Sequence, residues 1–283
     1  MSTTVCSVYG PVTRAIPENS SLPTNLERIS SILSGGTLFS VRELHLISGC
    51  TVARHVPYGV HVGASEYIVK KGAKLSLTMI HSWNLTQNVQ PRTKVVLEEG
   101  ATLVSVYVLY NPPRRLATNP VVELVGDNAR AVLVNVVVGD GSANLDVGGV
   151  AYLRGNGSSA QLISRVVAKG GSHVTSRATL VGEGSKTKGH IECMGLMLSE
   201  SSSISTVPIL EAKSRDTSLT HEAAVGKIAE SEVNYLMAKG LSRSEAISML
   251  VRGYLNIDAY LKELPPTVSN MVRTTLDFVS SAL

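Results

Sequence analysis

Residues 126–186 read GDNARAVLVNVVVGDGSANLDVGGVAYLRGNGSSAQLISRVVAKGGSHVTSRATLVGEGSK. Short runs of alternating aliphatic and polar residues are separated here by turns built from Gly, Ser, Asn and Asp. The turns begin at residues 126, 139, 155, 169 and 182, so they lie 13, 16, 14 and 13 residues apart. A strand and a turn that recur at so regular an interval indicate an internal structural repeat.

Two all-β architectures produce such a repeat. An up-and-down antiparallel sheet has regular strands and turns, whereas a β-helix has two strands in each coil of roughly 26 to 30 residues. The composition favours the β-helix, because aromatic residues make up only 4% of the chain and the core must consist of aliphatic side chains that suit a narrow, stacked interior. We therefore predict a mainly β fold with some helix, whose β-helix core covers residues 37–218.

Helical patterns flank this core on both sides, as expected for a β-helix whose end coils need caps. Residues 1–36 are expected to form an N-terminal arm with one short helix over 24–33. On the other side, Pro208 indicates that the strand pattern ends, because proline cannot donate in a central ladder. Residues 219–283 are therefore predicted to form a small C-terminal helical domain.

The signals for individual helices in this tail are local. Thr220 is a candidate N-cap, Gly240 fits the position after a helix end, and Ser242 with Glu245 forms a capping-box pattern. The spacing of apolar residues is helical between these signals. The predicted helices cover residues 223–238, 242–252 and 268–282, with a short segment over 257–261 before the last of them.

Composition and motif searches exclude several classes of function. The net charge is +4, and the basic residues form no block that would indicate nucleic-acid binding. The sequence contains no run of 18 apolar residues, so it gives no sign of a membrane span. The N-terminus lacks an apolar signal core, so we expect a cytoplasmic protein. The three cysteines form no CxxC or zinc spacing. No Walker, GxSxG or HExxH motif is present, and the shortage of aromatic residues disfavours a polysaccharide-acting enzyme.

Cys193 lies in the segment GHIECM, residues 189–194. If this segment is a strand, His190 and Glu192 share one face while Ile191 and Cys193 share the other. Cys193 is then either a small buried apolar residue, or a thiolate that accepts sulfur or binds metal. The second interpretation requires a nearby cation, such as His190 or His221, to lower the pKa of the thiol.

His221 and Glu222 also have two interpretations. They can simply begin a helix, where a glutamate in the first turn complements the helix dipole. Alternatively, they join Cys193, 29 residues earlier (222 − 193 = 29), in a mixed thiolate, imidazole and carboxylate set. Such a set suits iron or the edge of an iron–sulfur cluster, although one cysteine per chain requires a second chain to hold a cluster.

Four segments in this order resemble the SufB/SufD family, the core components of the Suf machinery for iron–sulfur cluster assembly. They are GHIEC (189–193), VPILE (207–211), LTHEAAVGKI (219–228) and SEVNYLMAKGLS (231–242). The resemblance extends over about residues 60–283. It implies a right-handed β-helix with a C-terminal helical domain, dimerisation through the β-helix, and docking of the ATPase SufC onto the helices. Compared with that family, the N-terminal region is truncated.

The resemblance also implies roles for individual residues. Cys193 matches the SufB-type cysteine that receives sulfur or binds the nascent cluster, and Glu222 matches the glutamate that accompanies it. His221 matches the histidine that is notable in SufD-type chains, and a chain with all three residues suits a homodimer, with another SufB/SufD-like chain as the alternative partner. The residues expected to contact the ATPase are Ala223, Val225, Ile228, Tyr235, Leu236 and Leu250.

The expected function is therefore that of a scaffold rather than an enzyme. A transient iron–sulfur cluster, with Cys193 and Glu222 as its metal ligands, would form at a dimer interface, and no permanent cofactor, nucleic acid or membrane is expected. The alternative is a β-helical adaptor that binds and stimulates the ATPase without holding a cluster.

Overall fold

The chain folds as a β-solenoid of parallel coils followed by four helices. The computed structural model describes residues 13–15, 42–48, 52–56, 62–83 and 88–283, with side chains described from Tyr67 onward except Thr267. The solenoid is built from two stacked sheets. Sheet A has the strand order β1-β2-β5-β7-β10-β12-β14-β16, and sheet B has the order β15-β13-β11-β8-β6-β4-β3, with β9 pairing β11 and β6. The predicted N-terminal helix, Cys6 and Cys50 lie outside the described residues.

The strands of both sheets are mostly nine or ten residues long from β5 onward, apart from the short β8 and β9. The β2–β5 and β3–β4 pairs are antiparallel, and the other pairs are parallel. In chain order the strands are β1 (Thr13–Ala15), β2 (Arg42–Ser48), β3 (Val52–Val56), β4 (Val62–Val69), β5 (Lys74–Ser82), β6 (Asn88–Leu97), β7 (Thr102–Tyr110), β8 (Arg115–Thr118), β9 (Val121–Leu124), β10 (Arg130–Gly139), β11 (Asn144–Leu153), β12 (Ser159–Ala168), β13 (His173–Gly182), β14 (Lys188–Met197), β15 (Ser203–Ala212) and β16 (Ser218–Lys227).

The repeat predicted from the turns is confirmed as one coil made of two strands. Successive strands of sheet A begin at residues 102, 130, 159, 188 and 218, so each coil takes 28 to 30 residues. Identical register from coil to coil places like positions in columns, such as Leu133, Leu162 and Ile191, which fill the space between the sheets. The narrow interior is mainly aliphatic, as the composition indicated, with Tyr67, Trp83 and Tyr107 as its aromatic members among the described residues.

Sheet A is covered on both faces where the helices lie against it. Its outward valines, such as Val104, Val106 and Val134, pack against helical residues that include Val272 and Leu276. This arrangement explains the nearly continuous apolar run of β10, because a parallel strand with two buried faces does not need to alternate.

The C-terminal helices confirm some local signals and correct one. The four helices are α1 (Glu230–Ala238), α2 (Arg243–Tyr254), α3 (Asp258–Leu261) and α4 (Pro266–Ser281). Ser242 and Glu245 form the predicted capping box, and Gly240 follows α1 with a φ of 100°. Among the described residues, no helix is long and apolar enough to cross a bilayer.

The prediction of a helix over residues 223–238 was wrong in its first part. Residues Ser218–Lys227 form strand β16, and α1 begins only at Glu230. Pro208 does not end the strand pattern either, because it lies within β15 at the edge of sheet B, where proline is tolerated. The β-helix therefore continues through β16, past the predicted boundary between residues 218 and 219.

The corners of the coils require glycine where backbones from adjacent coils meet. A Cβ placed on Gly155 would lie 1.9 Å from the carbonyl oxygen of Gly126 in the preceding coil. Neither backbone can move without disturbing its own ladder, so the contact cannot be relieved cheaply.

We predict that Gly155→Ala destabilises the protein by about 2–3 kcal/mol, in the upper range for overpacking. The matched control is Gly253→Ala in α2, where nothing lies within 4 Å of the added methyl group. That substitution should stabilise the helix by up to about 1 kcal/mol. Urea unfolding of both variants measures the difference, and equal stabilities would contradict the close packing at the corner.

Candidate functional site

Cys193 lies inside the β-helix, one coil before its last strand. It sits near the middle of β14, its side chain is 0% exposed, and it packs among the interior residues of the coil. Its ladder partners are Ser164 on β12 and Ala223 on β16. The predicted strand geometry is confirmed, because Ile191 and Cys193 are both buried while Glu192 faces outward toward the helices.

Two serine hydroxyls, those of Ser164 and Ser176, lie near the thiol in the interior of the coil. Ser164 and Ser176 hydrogen-bond to each other through their hydroxyl oxygens at 2.8 Å, and Ser176 also interacts with the thiol. Burial raises the pKa of Cys193, and the hydrogen bond from Ser176 opposes that shift only in part. The thiol is therefore held in its neutral form in this arrangement, and a nucleophilic or metal-binding thiolate requires the coil to open.

Neither histidine that the sequence suggested as an activating cation contacts the thiol. His190 faces outward, and its Nδ1 lies 2.9 Å from the hydroxyl oxygen of Thr220. His221 is the ladder partner of Ile191, so it shares the inward direction of Cys193 but lies on the exposed last strand. The cation that acts on the thiol is instead Arg165, whose charge lowers the pKa of Cys193 slightly against the effect of burial.

Glu222 is close to Cys193 in register but points to the other side of the sheet. Its ladder partner is Glu192, and Ala223 is the partner of Cys193. Because neighbouring residues on a strand face opposite sides, the Glu222 carboxylate lies on the outer face while the thiol lies inside. The structure thus brings His221 and Glu222 to the strand beside Cys193 without bringing the three side chains together.

Metal binding by one chain finds no support in the part of the chain that the structure describes. No group of three or more His, Cys, Asp and Glu side chains there is placed to hold a metal ion.

Sequence reasoning missed a charged cluster on the outer face of β14. Glu192 Oε1 accepts a hydrogen bond from Arg165 Nη2 at 2.5 Å, and Glu192 Oε2 accepts one from the Tyr260 hydroxyl at 3.0 Å. The side chains of Arg165 and Glu192 are only 9% and 18% exposed. Burial, together with the Glu192 charge, raises the pKa of Tyr260. A lone arginine in the mostly buried strand β12 was the available signal, since a buried charge needs a partner.

The residues expected to contact an ATPase separate into two groups. Ala223 and Val225 lie on β16 and not on a helix, which corrects their predicted placement, and Ile228 follows that strand. Tyr235 and Leu236 lie on α1 and Leu250 on α2. Tyr235 and Met237 on α1 are 63% and 41% exposed, and Met249 on α2 is 53% exposed. We call Tyr235, Met237 and Met249 the helical apolar surface.

Residues 40–254 match the family model for the SufBD core domain of the SUF system for FeS cluster assembly. The chain is 46% identical over 241 residues to an iron–sulfur cluster assembly SufBD family protein of Archaeoglobus fulgidus, an alignment that covers 85% of this chain and 64% of that protein. It is 43% identical over 235 residues to a protein of the same description from Methanothermobacter thermautotrophicus, covering 83% and 57%. Over 238 residues it is 33% identical to the iron–sulfur cluster assembly protein SufB of Bacillus subtilis, covering 81% and 50%. The chain thus spans between half and two thirds of the length of these relatives.

Proposed function

Because this chain belongs to the SufBD family of iron–sulfur cluster assembly proteins, we propose that it is a scaffold on which a cluster is assembled. In this proposal two chains pair at the open end of the β-helix, a SufC-type ATPase binds the C-terminal helices, and Cys193 accepts sulfur or iron. The chain itself catalyses no reaction, and the ATPase hydrolyses the ATP. The observation that carries the proposal is the position of Cys193, one strand away from an exposed sheet edge.

The open end supports pairing with a second chain. All of β16 except Leu219 is exposed, and β16 is the last strand in the order of sheet A. Val225 on β16 and Ile209 on the edge strand β15 are 40% and 43% exposed. Unpaired backbone groups along such an edge can extend a sheet into another chain, and apolar side chains add burial on association.

Pairing at β16 would also bring together possible iron ligands from two chains. It would bring His221 and Glu222 of two chains to a single seam, next to two buried Cys193 thiols. Imidazole, carboxylate and thiolate are suitable donors for iron. The nascent cluster is the cargo of such a site, and the residues of this chain would bind iron, hold it at the seam and shield it from water.

The proposal is tested by anaerobic reconstitution with ferrous iron, sulfide and the SufC-type ATPase with ATP. The expected result is a visible cluster chromophore that co-elutes with a pair of scaffold chains bound to the ATPase. A chain that stays free of iron and sulfide under these conditions would contradict the scaffold function.

We predict that the ATPase contacts the helical apolar surface. Replacing both Tyr235 and Met249 with alanine should weaken binding by about tenfold or more, since exposed aromatic anchors often contribute more than 1 kcal/mol to an interface. The matched control is Phe278→Ala, because Phe278 is 49% exposed on α4 and packs on Tyr110. Calorimetry with the purified ATPase measures both affinities, and a larger loss for the control would move the contact elsewhere.

The alternative function, an adaptor that stimulates the ATPase without holding a cluster, is favoured by the complete burial of Cys193. The two functions differ in what they require of the seam. If the chain is an adaptor, the Cys193→Ala and Glu222→Ala variants should stimulate ATP hydrolysis as well as the wild type does. They should also support cluster assembly by other proteins equally well. If the chain is a scaffold, the same two variants should still stimulate the ATPase but should no longer hold a cluster.

A further inference from the structure

Glu192 ties the outer face of β14 to the C-terminal helices by hydrogen bonds, and Leu196 on the same face packs against the helical cluster. Glu192 accepts hydrogen bonds from Arg165 on β12 and from Tyr260 on α3. Arg165 is 7% exposed and donates its other described hydrogen bond to its neighbour's carbonyl oxygen, that of Ser164. Glu192 is therefore both the counterion of a buried arginine and a hydrogen-bonded link between α3 and β14.

This link bears directly on Cys193, because Glu192 precedes it on the same strand and faces the opposite way. Exposing the thiol requires β14 to rotate about its own axis. Because Glu192 faces the opposite side, this rotation would move its carboxylate away from Arg165 and Tyr260. Arg165 would then be left as an uncompensated charge in a buried position, which is strongly unfavourable. The contacts of Glu192 thus hold the thiol inside.

Strand β16 carries a charge that favours opening of the end coil. Glu222 on β16 is the ladder partner of Glu192, so two carboxylates lie side by side on the outer face. Like charges at paired positions destabilise the pairing of their strands. While Arg165 neutralises Glu192 this repulsion is offset, and withdrawal of Arg165 or Tyr260 would favour separation of β16 from β14.

We propose that Glu192 is a positioning residue that couples the C-terminal helices to the accessibility of Cys193. While Tyr260 holds Glu192, the end coil is closed and the thiol is buried. A displacement of α3 that withdraws Tyr260 loosens β14 and opens a path to the thiol. The proposal rests on the proposed function in that Cys193 is taken as the reacting group.

The test measures the rate at which Cys193 is alkylated by a maleimide, with Cys6 and Cys50 replaced by serine so that Cys193 is the remaining thiol. Rates are measured at fixed pH and at several urea concentrations below the unfolding transition. Tyr260→Phe should raise the rate by roughly tenfold, corresponding to about 1.4 kcal/mol in the opening equilibrium. The midpoint of global unfolding, measured in parallel, separates local opening from loss of the whole fold.

The chain offers two matched controls. Tyr254→Phe removes a hydroxyl from the same helical region, but the Tyr254 hydroxyl is buried and makes no hydrogen bond. Glu263→Gln weakens a different link between the helices and sheet A, where Glu263 binds Arg130 on β10 with contacts of 2.5 and 2.8 Å. Both controls should leave the alkylation rate within about twofold of the wild-type rate, since neither substitution removes a hydrogen bond to Glu192.

Three results would overturn the proposal. They are an unchanged rate in Tyr260→Phe, an equal rise in Glu263→Gln, or a rise in Tyr260→Phe that the shift of global stability accounts for in full. Glu192→Gln is the second variant, and it should raise the rate at least as much because it removes the charge that Arg165 needs. The measurement requires no iron, sulfide or ATPase, so its outcome is independent of whether the chain assembles a cluster.

Discussion

Replacing Cys193 with alanine is expected to abolish cluster formation on the reconstituted scaffold while leaving the β-helix folded. Cys193 is the only cysteine between residues 182 and 240. Loss of a direct ligand should lower the cluster content by more than about tenfold, because even the residues that orient ligands contribute roughly 10- to 100-fold to metal affinity. Iron and sulfide analysis of the anaerobically purified complex measures the loss.

The control for this variant is Ser164→Ala. Ser164 is the ladder partner of Cys193 in the preceding coil and shares its interior position, so its loss perturbs the same space without removing sulfur. Cys193→Ala should cost about 1 kcal/mol of stability, as expected for trimming a small buried side chain. A Cys193→Ala protein that retains the cluster content of the wild type, or a Ser164→Ala protein that loses as much, would remove Cys193 from the proposed site.

Replacing Arg165 with methionine is expected to have the largest effect on stability. The change leaves Glu192 charged and mostly buried, with Tyr260 as its remaining hydrogen-bond donor in the described contacts. Removing one partner of a buried ion pair typically lowers the free energy of unfolding by about 3–5 kcal/mol. Urea unfolding, followed by circular dichroism, should show a midpoint well below that of the wild type.

Two comparisons show whether the charge causes the loss. The triple variant Arg165→Met, Glu192→Leu, Tyr260→Phe removes every polar member of the cluster and should recover most of the stability, since apolar replacements of buried pairs are often neutral or better. Arg130→Met breaks the pair with Glu263, whose side chains are 39% and 28% exposed, and should cost only about 1 kcal/mol. Equal losses at Arg165 and Arg130, or no recovery in the triple variant, would contradict a buried-charge origin.

Much of the fold follows from local patterns. The spacing of the Gly-rich turns predicted the repeat, and the shortage of aromatic residues favoured a β-helix over an up-and-down antiparallel sheet. The period of two along a strand was enough to assign opposite faces to Glu192 and Cys193. Short-range signals also worked in the tail, where Ser242 and Glu245 cap α2 as predicted.

The candidate site was less accessible to local reasoning. Cys193, His221 and Glu222 were recognised through ordered motifs, but their relative directions depend on a ladder between β14 and β16 that joins residues 30 positions apart. Tyr260 and Glu192 are separated by 68 residues, and their contact depends on how the tail crosses sheet A. Patterns confined to one element contain no information about such contacts.

The segment LTHEAAVGKI (219–228) shows most clearly where local sequence pattern and tertiary structure disagree. Its alanines and its apolar spacing favour a helix, yet residues 218–227 pair with all ten residues of β14 as the last strand. Hydrogen bonds along a preformed sheet edge outweigh a modest local preference, since strand formation depends on the neighbour that is available. The sequence by itself determined the repeating coil and which side chains of β14 face inward, because these follow from the geometry of a single strand. Only the tertiary structure decided where the last coil ends and which charges hold Cys193 in place, because both depend on contacts with distant parts of the chain.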